Sequence, residues 1–207
     1  MRVRTASIAG LVAAAATASL LASPAHAHSA ELATFRLGIQ LADDGGASQF
    51  GQEQFTNNVK FGNSVSAWAG DANKFDPDAV RLNLETNPGD PLIGRDFRIG
   101  AQAMDKGSHL GPVQYTPWAS AGGGQSDFVT DDNGWDPDEY RLFLDTRAWP
   151  SSASLVDFRI SVTAVDKGVP GVPAFTPWAG QGGGRSPLAL DTNGFDFDGF
   201  VLGLEVR

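Results

Sequence analysis

Apolar and polar residues alternate along this chain in two kinds of short run. In the first, Phe35, Leu37, Ile39 and Leu41 alternate with Arg36, Gly38, Gln40 and Ala42, a period of two that predicts a strand with one buried and one open face. In the second, Val80, Leu82 and Leu84 alternate with Arg81, Asn83 and Glu85, and Tyr140, Leu142 and Leu144 with Arg141, Phe143 and Asp145. No stretch beyond residue 27 carries apolar residues at helical spacing long enough to predict a helix, and Gly and Pro punctuate it every few residues. The pattern predicts an all-β protein.

Both runs recur. The octet Asp71-Ala72-Asn73-Lys74-Phe75-Asp76-Pro77-Asp78 returns as Asp131-Asp132-Asn133-Gly134-Trp135-Asp136-Pro137-Asp138 and as Asp191-Thr192-Asn193-Gly194-Phe195-Asp196-Phe197-Asp198, at a spacing of 60 residues. Each octet runs directly into an alternating strand, the third with Phe200, Leu202 and Leu204. The opening strand returns as Phe97-Arg98-Ile99-Gly100-Ala101 and Phe158-Arg159-Ile160-Ser161-Val162. Between the two lie Phe55-Thr56-Asn57-Asn58, Tyr115-Thr116-Pro117-Trp118 and Phe175-Thr176-Pro177-Trp178. Residues 28–207 therefore read as one β domain of three repeats, about 28–87, 88–147 and 148–207. A 60-residue sheet with one apolar face cannot hide that face alone. The expected architecture is a three-repeat β-prism with pseudo-threefold symmetry, and a β-trefoil is the alternative.

Residues 1–27 read as a signal peptide. Arg2 and Arg4 supply positive charge, Ile8 to Leu21 is a short apolar run, and Ala25-His26-Ala27 fits a small-x-small cleavage site. That run falls short of the roughly 20 apolar residues a spanning helix needs. A secreted protein without membrane insertion is expected, its processed form beginning at His28.

Composition narrows the function classes. A chain that is 42% hydrophobic and 19% charged can bury a core rather than remain disordered. The net charge of −9 opposes binding to phosphate backbones, so nucleic acid is not an expected partner. The absence of Cys removes disulfides, thiol nucleophiles and Cys-ligated metals.

Several motifs resemble known extracellular families. The segment Asp136-Pro137-Asp138-Glu139-Tyr140-Arg141-Leu142-Phe143-Leu144 resembles the acidic turn and strand of vitelline-membrane outer-layer repeats. Pro117-Trp118-Ala119-Ser120-Ala121-Gly122-Gly123 and Pro177-Trp178-Ala179-Gly180-Gln181-Gly182-Gly183 are similar to the Pro-Trp-x-x-x-Gly-Gly opening of jacalin-type lectins. The order Gln102, Trp118, Gly-rich loop resembles hydrophobic-W repeats of bacterial surface proteins. These resemblances imply a β-prism or repeat module used for extracellular binding. The first copy departs from them, with Asn58 in place of Trp and no triple Gly.

Three features are candidates for chemistry. The octets cluster oxygen ligands in a tight turn, which suits a hard cation such as Ca²⁺, with Asp136, Asp138, Asp196 and Asp198 as metal ligands. The same residues also serve plain Asx-turns, in which Asp and Asn bond their own backbone, and no other cofactor is implied. Trp118 and Trp178 beside their glycines could stack on a sugar ring while Asp131, Asn133, Asp191 and Asn193 bond its hydroxyls. The competing role for each Trp is to plug an end of the core. An N-terminal His28 is similar to the copper ligand of polysaccharide monooxygenases, but His109 is the one other His past the leader, and a frayed terminus explains His28 as well. No nucleophile motif accompanies His109.

Threefold repetition suits a binding surface better than one asymmetric catalytic site. The expected function is a non-enzymatic, lectin-like module for an extracellular glycan or cell-wall polysaccharide. A protein-binding or structural module, such as a coat component or protease inhibitor, is the alternative, and a polysaccharide-active enzyme is a third class.

Overall fold

The computed structural model describes residues 35–43, 46–58, 62–70, 79–86, 96–105, 109–130, 139–147, 157–166, 168–189 and 198–207. The first copy contributes β1 (Phe35–Ala42), β2 (Gln54–Phe55), β3 (Gly62–Val65) and β4 (Ala79–Thr86). The second contributes β5 (Asp96–Asp105), β6 (His109–Leu110), β7 (Gln114–Tyr115), β8 (Gly123–Gln125) and β9 (Glu139–Arg147). The third contributes β10 (Phe158–Asp166), β11 (Val169–Pro170), β12 (Ala174–Phe175), β13 (Gly183–Arg185) and β14 (Gly199–Val206). The described residues include no α-helix, only short 3₁₀ turns such as Ala119–Ala121 and Ala179–Gln181. The protein is all-β, as the alternation predicts.

The long strands pair within their own copy and in the same register. Leu37 lies opposite Leu84, Ile99 opposite Leu144, and Ile160 opposite Leu204. The alternation holds: Phe35, Leu37, Ile39 and Leu41 are buried, and Arg36 and Gln40 are half-buried. Phe35, Phe97 and Phe158 meet in one cluster, with ring centroids 4.9, 5.0 and 4.7 Å apart and planes inclined by 57° to 63°. Such tilted contacts add to burial, because an aromatic edge is positive and its face negative. Tyr140 and Phe200 form a second aromatic contact, with centroids 5.0 Å apart.

The outermost pairing of each sheet crosses between copies. β8 of the second copy pairs with β4 of the first, β13 of the third with β9 of the second, and β3 of the first with β14 of the third. The three antiparallel sheets thus run β2-β1-β4-β8, β6-β5-β9-β13 and β11-β10-β14-β3, with β7 also on β5 and β12 on β10. Inner strands of neighbouring sheets lie side by side, β4 by β5, β9 by β10 and β14 by β1. The exchanged strands approach closely at Gly123 and Gly183. Both have φ +67°, and a Cβ there would collide with the carbonyl oxygen of Leu84 or Leu144.

Hydroxyl groups finish the backbone pairing. Thr56, Thr116 and Thr176 are buried, and their Oγ1 atoms accept the N–H groups of Leu37 (3.0 Å), Ile99 (3.2 Å) and Ile160 (3.2 Å). Ser66, Ser126 and Ser186, each just past an exchanged strand, accept the N–H groups of Leu202, Leu82 and Leu142, all at 3.0 Å. Each of these serines also donates to a nearby carbonyl, of Ala67, Asp127 or Pro187. A core strand N–H that loses its acceptor is costly because no water reaches it.

Thr116→Val keeps the side-chain shape but strands the Ile99 N–H, and a cost of about 1–3 kcal/mol is expected in urea unfolding. Ser66→Ala is expected to cost a similar amount although Leu202 lies in a different copy. Val172→Ser, at a position 80% exposed, is expected to change stability by less than about 0.5 kcal/mol.

Candidate functional site

Trp118 and Trp178 occupy equivalent places. Each follows Pro and precedes a 3₁₀ turn that ends on a left-handed glycine, Gly122 (φ +97°) or Gly182 (φ +96°). The Trp118 carbonyl accepts the N–H groups of Ala121 (2.9 Å) and Gly123 (3.2 Å), and Trp178 does the same for Gln181 (2.9 Å) and Gly183 (3.1 Å). The turn therefore fixes the Trp backbone, and both indoles are half-buried.

Guanidinium groups stand over both rings. Arg147 Cζ lies 4.0 Å from the Trp118 ring centroid and Arg98 Cζ 4.8 Å from it. In the third copy Arg207 lies at 3.8 Å and Arg159 at 4.8 Å from Trp178. The ring quadrupole attracts each cation, by about 0.5–1 kcal/mol where the pair is exposed. Arg98 and Arg159 also cover Tyr115 and Phe175, both at 4.0 Å.

Carboxylates hold the arginines. Arg98 pairs with Asp145 at 2.9 Å and Arg159 with Glu205 at 2.6 Å, each its register partner. Arg147 pairs with Asp96 at 2.6 Å and Arg207 with Asp157 at 3.1 Å. Asp96 also accepts the Ser120 hydroxyl (2.6 Å) and backbone N–H (2.9 Å), and Asp157 accepts the Gly180 N–H (2.7 Å). Burial by itself pushes the Asp96 carboxyl up, but the bonds from Ser120 and Arg147 outweigh it and hold the carboxyl below its ordinary value. Tyr115 is pushed up, first by burial and then by the charge of Asp145, against the opposing charge of Arg98.

Each indole is half-buried and has guanidinium groups over its ring. Its guanidinium cover is attached to an exposed rim, because the Arg147 and Arg207 side chains are each 54% exposed while Asp96 is 9% and Asp157 15% exposed. A rim of that kind offers an aromatic edge and ionised donors and acceptors together. The first copy has the equivalent Arg36, paired with Glu85 at 2.6 Å and stacked on Phe55 at 4.1 Å, but an exposed Asn58 stands where the other copies have Trp.

Of the other residues expected to form sites, Asp131, Asn133, Asp136, Asp138, Asp191, Asn193 and Asp196 lie outside the described residues, as do 1–27 and His28. The second octet is bracketed by Val129, which bridges Val80, and by Glu139, which pairs with Met104. Asp198 is half-buried, and its N–H donates to the Val165 carbonyl at 2.8 Å. His109 is a strand residue opposite Asp105. Among the described residues, no group of His, Asp or Glu is placed to hold a metal ion, and no helix is long and apolar enough to cross a membrane.

The residues around the two indoles also repeat in the sequence. Asp-Phe-Arg stands at 96–98 and again at 157–159, and Arg147 and Arg207 are 60 residues apart. Repetition of charged residues outside the alternating core marks them as a set, whereas the alternation itself draws attention only to the buried face. Comparisons with protein families, with curated proteins and with solved structures find no match to this chain.

Asp96→Asn is expected to cost about 1–3 kcal/mol at neutral pH, since it removes the charge that Arg147 and Ser120 bond. The folded carboxyl ionises at lower pH than the unfolded one, so its stabilising effect is present above about pH 4 and fades as pH falls through the lower folded value. Urea unfolding of both proteins across pH 2–7 checks this: the gap between them should narrow on the acid side.

Proposed function

We propose that this chain is an exported three-repeat β-prism that binds extracellular carbohydrate without chemically changing it. The cyclic exchange of β3, β8 and β13 and the meeting of Phe35, Phe97 and Phe158 support the prism. They fit three equivalent sheets that share one interior around a pseudo-threefold axis better than they fit three separate units. The resemblances to jacalin-type lectins, vitelline-membrane outer-layer repeats and hydrophobic-W repeats agree with that reading.

The observation that carries the binding function is the half-exposed Trp–Arg–Asp cluster that occurs at Trp118 and again at Trp178. A sugar ring offers apolar C–H groups to the indole and hydroxyls to the charged rim. Arg147 and Arg207 would donate to those hydroxyls, and Asp131, Asn133, Asp191 and Asn193 would extend the contact. Two equivalent sites on one domain raise retention on a polymer beyond the affinity of either. Ca²⁺ held by Asp136, Asp138, Asp196 and Asp198 would order the neighbouring loops in this reading.

One observation favours a second reading. The stacked guanidinium groups reduce the indole surface open to a sugar, as expected if the clusters instead brace a protein-binding or structural extracellular module, such as a coat component or protease inhibitor.

Trp118→Ala and Trp178→Ala should each lower retention on the recognised glycan several-fold, and the double variant should abolish it, while melting falls by only a few degrees because each residue is half-buried. A glycan array probed with and without Ca²⁺ identifies the glycan. A blank array from folded protein removes the carbohydrate reading, and binding that is indifferent to chelator removes Ca²⁺.

A further inference from the structure

The outer face of the sheet β6-β5-β9-β13 places two positive charges near each other that have no carboxylate partner among the described residues. Register places Arg185 of β13 opposite Phe143 of β9, and Arg141 lies two residues before Phe143 on the same face. Arg141 Cζ is 5.6 Å from the Phe143 ring centroid. Nε and Nη2 of Arg141 donate to Gln102 Oε1 at 2.9 and 2.6 Å, and Gln102 Nε2 in turn donates to the Gly111 carbonyl at 2.7 Å. Arg141 is thus held in place by a neutral partner. Phe143 and Arg141 are half-buried, whereas Arg185 is exposed.

This differs from the treatment of arginine elsewhere in the fold. Arg36, Arg98, Arg147, Arg159 and Arg207 each have a carboxylate within 3.1 Å. Among the described residues neither Arg141 nor Arg185 has an ion-pair partner. Arg81 shares the Gln-held geometry through Gln40, but its sheet sets Gln125 opposite Asn83, where the middle sheet has Arg185 opposite Phe143. In the third sheet the same places hold Val201, Gly203 and Val65. The pair is therefore particular to one sheet. The proximity of Arg185 also registers on Arg141, whose pKa is lowered first by burial and then by that second positive charge.

Two guanidinium groups at neighbouring positions of one face, neither with an ion-pair partner among the described residues, form a place where an anion from outside gains from both. Arg141 retains three of its five N–H donors and Arg185 all five. Phe143, opposite Arg185 in register and beside Arg141, adds an aromatic ring suited to the C–H face of a sugar. We infer that Arg141, Arg185 and Phe143 form a subsite for the anionic substituent, carboxylate or sulfate, of an acidic saccharide. The saccharide half of this inference rests on the carbohydrate reading above. The anion half rests on the two arginines.

The test is an array of neutral, uronate-containing and sulfated oligosaccharides, with polyglutamate as a carbohydrate-free polyanion, probed with the full chain and with Arg185→Gln, Arg185→Lys and Trp118→Ala. Because Arg185 is exposed, Arg185→Gln should fold as the parent does. The expected result is binding to uronate or sulfate glycans, weakened about tenfold or more by Arg185→Gln and only partly restored by Lys, which keeps the charge but not the fork. Preference between the uronate and sulfate arms identifies the anion. Equal binding of parent and Arg185→Gln to every acidic glycan overturns the subsite, even if Trp118-dependent binding to neutral glycans stands. Arg185-dependent binding that ignores Trp118→Ala supports the subsite and removes the Trp cluster from the binding function. Polyglutamate binding with the same Arg185 dependence overturns the saccharide half, and a parent that binds no glycan overturns this inference and the carbohydrate reading together.

Discussion

Each long-strand hairpin in this protein has an edge that its own copy of the repeat leaves uncovered, and backbone hydrogen bonding decides what covers it. β4, β9 and β14 present unpaired N–H and C=O groups once β1, β5 and β10 have taken the other side. An exposed edge of that kind invites association with other chains. Here the next copy supplies the missing strand, and the first copy supplies it for the third. The serine just after each exchanged strand extends the pairing by one more bond, so that Ser66 holds Leu202 across 136 residues of sequence. Contacts of such long range couple the three copies, and folding has to close the ring before most of the benefit is gained.

That closure explains why the repeat is strict in some places and loose in others. Thr56, Thr116 and Thr176 and Ser66, Ser126 and Ser186 all accept buried core N–H groups, and none of the six has been exchanged for another residue type. The outer faces carry no such demand. Gln40–Arg81 and Gln102–Arg141 become Thr163 and Val201 in the third copy, where the hydrogen-bonded pair is lost without opening the core. Differences between copies therefore collect away from the shared core. The second and third copies each have a Trp cluster, the unmatched arginine pair joins Arg141 of the second to Arg185 of the third, and the first copy has neither.

Arginine over an aromatic ring is the common unit of these surfaces. In every copy an arginine on the opening strand, Arg36, Arg98 or Arg159, bonds a carboxylate on the closing strand and lies on an aromatic from the short strand beside it, Phe55, Tyr115 or Phe175. Exposed ion pairs of this sort contribute little stability singly. In the second and third copies the same arginines, Arg98 and Arg159, also approach the Trp118 and Trp178 rings at 4.8 Å.

The sequence by itself determined the class of structure and its periodicity. Alternation at period two made the strands and their buried faces legible, because burial on one face of a strand is written directly into every second residue, and the octets 60 residues apart set out the sequence repeat. It also marked Trp118 and Trp178 as distinct through their Pro and Gly neighbours. Which copy supplies each outer strand was decided only in three dimensions. A backbone edge accepts any partner whose hydrogen bonds fit, and nothing in the side chains of Gly123–Gln125 names Asn83–Glu85 as its mate. The cover over the indoles was decided in the same way. Arg147 and Asp96 lie 51 residues apart and meet because the register sets the last residue of β9 directly opposite the first of β5, and proximity created by strand register leaves no local trace in the order of residues.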